Sequence, residues 1–258
     1  MNTSSDSNLC GSTGKIPLRS VLNECDRLFN SGNSAAVGEL LRHWRARARE
    51  NGDRASELSL LNELMGHYRM ANDAARGIAA VKDGFALIRQ LGISDTVNAG
   101  TILINGATAL HSFGSVDAAM EAFSEAYRCY RSSLAPSDRR FAGLFNNMAA
   151  VYAEKNDFDH AETYYCQALD ILSDANDLMD YAVTCVNLAQ LYRRRNPDDP
   201  AIAAMLDAAT LAFDHPDAVR DAYYAHTCGK CAAAFGNMGR THYADELKKR
   251  MDAIYAGN

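Results

Sequence analysis

Apolar residues along most of the chain recur at three-and-four spacing, as at Leu61, Leu64, Met65 and Tyr68. That is the period of a helix buried along one face. No segment alternates apolar and polar residues with the period of two that a half-buried strand requires. The helical stretches come in pairs with a Gly or Asn between their members: Asn72, Gly114, Asn156, Asn196 and Gly239. Gly and Asn tolerate the left-handed backbone that ends a helix. Pro17, Pro136, Pro197, Pro200 and Pro216 all fall at expected helix starts or connections, and Ser115, Asp157 and Asp198 are expected N-caps. The pattern predicts antiparallel helix pairs closed by tight turns.

The pairs repeat. The segments Ile104–Tyr127, Asn146–Leu169 and Val186–Ala209 align without gaps. A small residue recurs at Ala107, Ala149, Ala189 and Ala232, with Met65 in the earlier unit. A ring or Leu follows three later, at Tyr68, Leu110, Tyr152, Tyr192 and Phe235, in steps of 42, 42, 40 and 43 residues. After the Gly/Asn column come two more small columns: Gly77, Ala119, Ala161, Ala201 and Ala244, then Gly84, Ala126, Ala168 and Ala208. Small residues let helices approach, and rings fill the holes beside them. Residues 16–50 fit the period but match the columns poorly, as a terminal capping unit does.

These columns resemble the tetratricopeptide repeat family over roughly residues 16–256. The period near 42 and the Asn-x-Ala-x-x-Tyr signature at Asn147, Ala149 and Tyr152, and at Asn187, Ala189 and Tyr192, are similar to its kinesin-light-chain-like branch. The resemblance implies an all-α, right-handed α-α superhelix of about six helix pairs. It also implies one repeat domain over residues 16–258 and that the first helix of each pair lines a concave groove; ahead of it, the Ser-, Asn-, Gly- and Thr-rich start is expected to be a flexible tail at 1–15.

On such helices the residue two before the small column points toward the groove. That position reads Glu63, Asn105, Asn147, Asn187 and Lys230, with Asn146 beside it. Asn is a mediocre helix former because its amide competes for the backbone, so its recurrence asks for a reason. One reading is a ladder of amides that pair with the C=O and N–H of an extended peptide. The other is a set of amides that bond the adjacent repeat and stiffen the array. Arg193, Arg194, His226 and Lys230 gather toward one end, where cations could hold a carboxylate.

Composition narrows the classes. With 26 Lys and Arg against 32 Asp and Glu the net charge is −6, a poor match to nucleic acid. No run is long enough to span a membrane, and no apolar core follows a basic start as in a signal peptide. Seven scattered cysteines form no disulfide framework, which together with the missing signal gives a cytoplasmic expectation. Cys228 and Cys231 form a CxxC, but no second pair completes a metal site, and the columns turn both toward the core. Gly11 to Lys15 lacks the flanking residues of a phosphate loop. Arg42, Arg45, Arg47 and Arg49 around Trp44 read as a solvated face.

No catalytic motif, metal site or cofactor fingerprint is evident. The expectation is therefore a non-enzymatic protein–protein interaction module that binds an extended peptide or partner tail, as an adaptor or a peptide-sensing regulator. The few residues ahead of the repeats favour the adaptor. The alternative is a self-associating scaffold, dimeric through its own helix faces, with a structural ladder.

Overall fold

The computed structural model describes residues 14–256. The expected tail, apart from Gly14 and Lys15, lies outside the described residues, as does Cys10. Among the described residues there are twelve helices and no strand. They fall into two compact units that divide after Ser133.

The first unit holds α1 (Leu18–Asn30), α2 (Ser34–Glu50), α3 (Arg54–Met70), α4 (Ala74–Gln90), α5 (Val97–Ser112) and α6 (Val116–Ser133). Each helix packs on the next, and α3 also packs on α5. Leu60, Leu61, Leu64, Met65, Leu103 and Phe123 are almost wholly buried between them. The second unit holds α7 (Arg140–Glu154), α8 (Phe158–Asp174), α9 (Leu178–Arg195), α10 (Ala201–Asp214), α11 (Ala222–Asn237) and α12 (Thr241–Ala256). Here α9 packs on α8, α10 and α11, around Leu188, Tyr192, Phe213, Tyr224 and Phe235. Each unit is thus three helix pairs.

A recurring three-residue turn closes the pairs. Asn72, Gly114, Asn156 and Gly239 have φ of 52°, 75°, 60° and 83°. After α3, the Asn72 N–H donates to the Arg69 carbonyl and the Asp73 N–H to that of Tyr68. This closure satisfies carbonyls that a helix end leaves open. Asp73 then caps α4 by accepting the Arg76 N–H at 3.1 Å. The same sequence of left-handed residue and cap recurs at Asn156 and Asp157. It also joins one pair to the next at Gly52 and Asp53.

One column member departs. Asn196 is extended, with φ −152° and ψ 110°. Pro197 follows it, and a residue before proline is pushed out of helical and left-handed backbone by the ring. The expected cap at Asp198 is also corrected: Asp199 accepts the Ala201 N–H at 2.9 Å, and Pro200 holds the N-cap position. After this longer connection, Ala201 and Ala208 are only partly buried, whereas Ala119, Ala126, Ala161 and Ala168 are wholly buried.

Other expectations on packing are met. Cys228 and Cys231 are buried, and burial pushes their thiols up to about 11 and about 12.

The left-handed turn residue gives a direct test. Asn72→Val places a β-branched residue at φ 52° and is expected to cost about 1–2 kcal/mol. Asn72→Gly is expected to change stability by only a few tenths in either direction. Urea denaturation followed by circular dichroism compares the two.

Candidate functional site

The sequence of α7 divides its surface in two. Phe141, Leu144, Phe145, Met148 and Val151 are buried. Ala142, Gly143, Asn146, Asn147, Ala150 and Ala153 recur at the three-and-four spacing that gathers residues on one helix face. That face is small or polar, so it leaves space. The space is a cavity of about 480 Å3 within the second unit. The far wall is one face of α9, with Asp180, Val183, Asn187, Gln190, Leu191 and Arg194. Tyr165 and Leu172 of α8 and Lys230 of α11 complete it. A Cβ added at Gly143 would meet nothing within 4 Å, so the glycine is not needed for helix packing.

The amides around the cavity differ in what they already bond. The Asn147 Nδ2 donates to the Gly143 carbonyl of its own helix at 2.9 Å. The Asn146 Nδ2 donates to the Thr184 Oγ1 at 2.8 Å and to the Ala142 carbonyl at 3.2 Å. Thr184 in turn donates to the Asp180 carbonyl at 2.7 Å, so this chain ties α7 to α9. The Asn146 Oδ1 is buried and accepts nothing. An unmatched buried acceptor costs about 1–3 kcal/mol, which makes it rare in native structures. Asn187 and Lys230 have no hydrogen-bond or ion-pair partner among the described residues.

Charge is unevenly distributed. Asp180 accepts a hydrogen bond from the Tyr223 hydroxyl. Burial and that carboxylate push the Tyr223 phenol up. Arg194 is exposed and donates to the Asn156 Oδ1 at 3.1 Å, with its guanidinium 5.7 Å from the centre of the Phe158 ring. The exposed Lys230 ammonium is a second cation. Arg193 lines an adjoining hollow of about 370 Å3 that shares Gln190 and Arg194 with the cavity. The cavity therefore offers amides, two cations and one carboxylate already engaged by a phenol.

The expected ladder is split. Asn146, Asn147, Asn187, Arg194 and Lys230 meet at the cavity, and Arg193 is next to it. His226 is exposed on α11 and lines neither space. In the first unit Asn105 donates to the Asn62 Oδ1 at 2.8 Å, and the exposed Glu63 accepts from Asn62 at 3.4 Å. There the amide bonds the neighbouring repeat. Asp180, Gln190 and Tyr165 were not picked out as lining residues from the sequence. The run of small residues on one face of α7 was the signal for the cavity.

The family model described as anaphase-promoting complex subunit 5 matches residues 22–134 and 148–227, most of the chain. The chain belongs to this family. No curated protein matches the sequence. Solved structures show what this family member is similar to in fold. BtubC (BKLC) from P. vanneervenii has 17% identity and a TM-score of 0.57, over 94% of this chain and 92% of its own. The kinesin light chain TPR-like repeats of Podosopora anserina have 16% identity and a TM-score of 0.65, over 76% and 93%. NprR in complex with its cognate peptide NprX has 15% identity and a TM-score of 0.58, over 92% and 66%. The fold is that of tetratricopeptide-like repeats. No described helix is long and apolar enough to cross a membrane.

Tyr165, on the cavity wall, offers a direct test. Burial pushes its phenol up to about 12, with Arg194 opposing in a minor way. A phenol raised in the folded state keeps its proton while the unfolded chain loses it above about pH 10. Its contribution to stability is therefore full below pH 10 and is lost as pH rises toward 12, by at most roughly 3 kcal/mol. Urea midpoints of Tyr165→Phe are expected to fall less steeply than wild type between pH 10 and 12.

Proposed function

We propose that the chain is a non-enzymatic interaction module and that its second unit binds an extended peptide or a partner's tail in the cavity between α7 and α9. The cavity itself carries the reading. It brings Asn147, Asn187, Gln190, Arg194 and Lys230 to one space, and it leaves the Asn187 amide and the Lys230 ammonium without partners. Its volume lies in the ordinary range of ligand sites, about 300–1,000 Å3. Amides that hold both a donor and an acceptor suit a peptide backbone. The two cations suit an acidic side chain or a terminal carboxylate along the same segment.

The likeness to NprR, solved with a cognate peptide, supports a peptide as the ligand, and the period near 42 together with the likeness to kinesin light chain TPR-like repeats supports a repeat array of that branch. Membership of a family described by a subunit of a protein complex supports a protein partner. Within the reading, the chain works in the cytoplasm as an adaptor or a peptide-sensing regulator, without nucleic acid or membrane. The scaffold reading draws on one observation, the Asn105–Asn62 bond, which makes the ladder of the first unit structural.

A peptide-library pull-down tests this. Wild type is expected to enrich a peptide set containing Asp or Glu. Asn147→Ala with Asn187→Ala is expected to weaken capture at least tenfold, and Lys230→Glu to remove the acidic preference. Gly143→Leu is expected to block capture while holding or raising helix stability, because its side chain enters open space. Asn105→Ala is expected to leave capture unchanged. Equal capture by wild type and the Asn147/Asn187 variant would overturn the reading in favour of the scaffold.

A further inference from the structure

A second face of the same unit adjoins the cavity, sharing Leu172 with it and tied to its Asp180 through Tyr223, but carries none of the ladder residues. It is built from the α8–α9 turn, α10 and the segment before α11. Two hollows of about 250 and 410 Å3 meet there, both lined by Asn176, Asp177 and Leu178. Leu211 walls the first; Val219 and Tyr223 wall the second. Leu211 and Val219 are each 72% exposed and Tyr223 50%, among the largest exposures of any big apolar side chain described. Single exposed apolar residues are ordinary, but a cluster beside a groove marks an interaction surface.

The rim gives the occupant its charge. The second hollow is lined by three carboxylates, Asp177, Asp217 and Asp221, against one guanidinium, Arg139. Arg139 faces Asp177 at 3.7 Å, and Asp221 accepts the Tyr224 N–H as the cap of α11. The Asp217 side chain is 73% exposed and meets only His215, at 3.8 Å. Arg220 is drawn to the Tyr224 ring, 5.9 Å from its centre. The face thus joins exposed apolar side chains to an excess of carboxylates over cations, the reverse of the cation-bearing cavity between α7 and α9.

We propose that this face docks a basic amphipathic segment of a partner protein. Its apolar side chains would seat against Leu211, Val219 and Tyr223, and its Lys or Arg would meet Asp217 and Asp221. The pairing sets apolar contact beside opposite charge, as in specific interfaces. The proposal stands independently of peptide binding in the cavity.

Fluorescence anisotropy on the full chain tests it, with a labelled amphipathic helix of leucine and lysine as the probe and its leucine–glutamate counterpart as the control. The lysine probe is expected to bind, and to bind more weakly as salt rises. Leu211→Ser with Val219→Ser is expected to weaken it at least tenfold, as is Asp217→Lys. Met70→Ser, at an exposed apolar residue of the first unit, is expected to change nothing. All the substituted side chains are exposed, so circular dichroism is expected to match wild type. Equal affinity for the Leu211/Val219 variant, equal binding of the glutamate peptide, or no binding at all would overturn the proposal. So would a concentration-dependent mass of the free chain that the same variant abolishes, because a second copy would then be the occupant.

Discussion

The fold depends on a constraint at its turns. A helix can reverse within three residues only if one of them adopts left-handed backbone, which most side chains resist by about 1–2 kcal/mol. Gly32, Gly52, Asn72, Gly92, Gly114, Asn156, Asn176 and Gly239 all take that conformation. At several of them a carboxylate or amide follows at once and caps the next helix, as Asn33, Asp53, Asp73 and Asp157 do. The turn thereby fixes the end of one helix and the start of the next. With that geometry set, small residues such as Ala107, Ala149 and Ala189 bring helices close, and rings such as Tyr68, Tyr192 and Phe235 fill the remaining holes.

The candidate site arises where close packing is withheld. α3 packs on α5 and α9 on α11, and in the first of these contacts Asn105 bonds Asn62. α7 instead turns Ala142, Gly143 and Ala150 toward α9, and a cavity results. The Asn146–Thr184–Asp180 chain spans between these helices and leaves the Asn146 Oδ1 unmatched. Local cost of this kind is tolerable because the cores around Leu188, Tyr192 and Phe213 are fully packed. The same repeated Asn thus bonds the neighbouring repeat in one unit, while in the other the Asn187 side chain has no partner among the described residues.

Much of the architecture was legible in the sequence because it is periodic. The helix pairs, the left-handed Gly/Asn column and the buried cysteines all follow from spacing and residue type. Asn196 was misread because the column said Asn and the following Pro197 overrode it. The site was half legible. The ladder position identified Asn147, Asn187 and Lys230, which do meet at the cavity, but spacing alone could not say how far apart two helices would stand. The Asn105 bond to Asn62 and the bond from Tyr223 to Asp180 join residues 43 apart, and their distances depend on packing that no local pattern records. The groove at the α8–α9 turn was invisible for the same reason.

A ladder open only in the second unit is reported directly by its side-chain amides. The measurement is a heteronuclear NMR titration of the Asn and Gln NH2 resonances with the peptide that wild type captures most strongly. Saturable shifts are expected for Asn187, Asn147 and Gln190, with Asn62 and Asn105 unmoved. Shifts at Asn62 and Asn105 with Asn187 unmoved would contradict a ladder open only there.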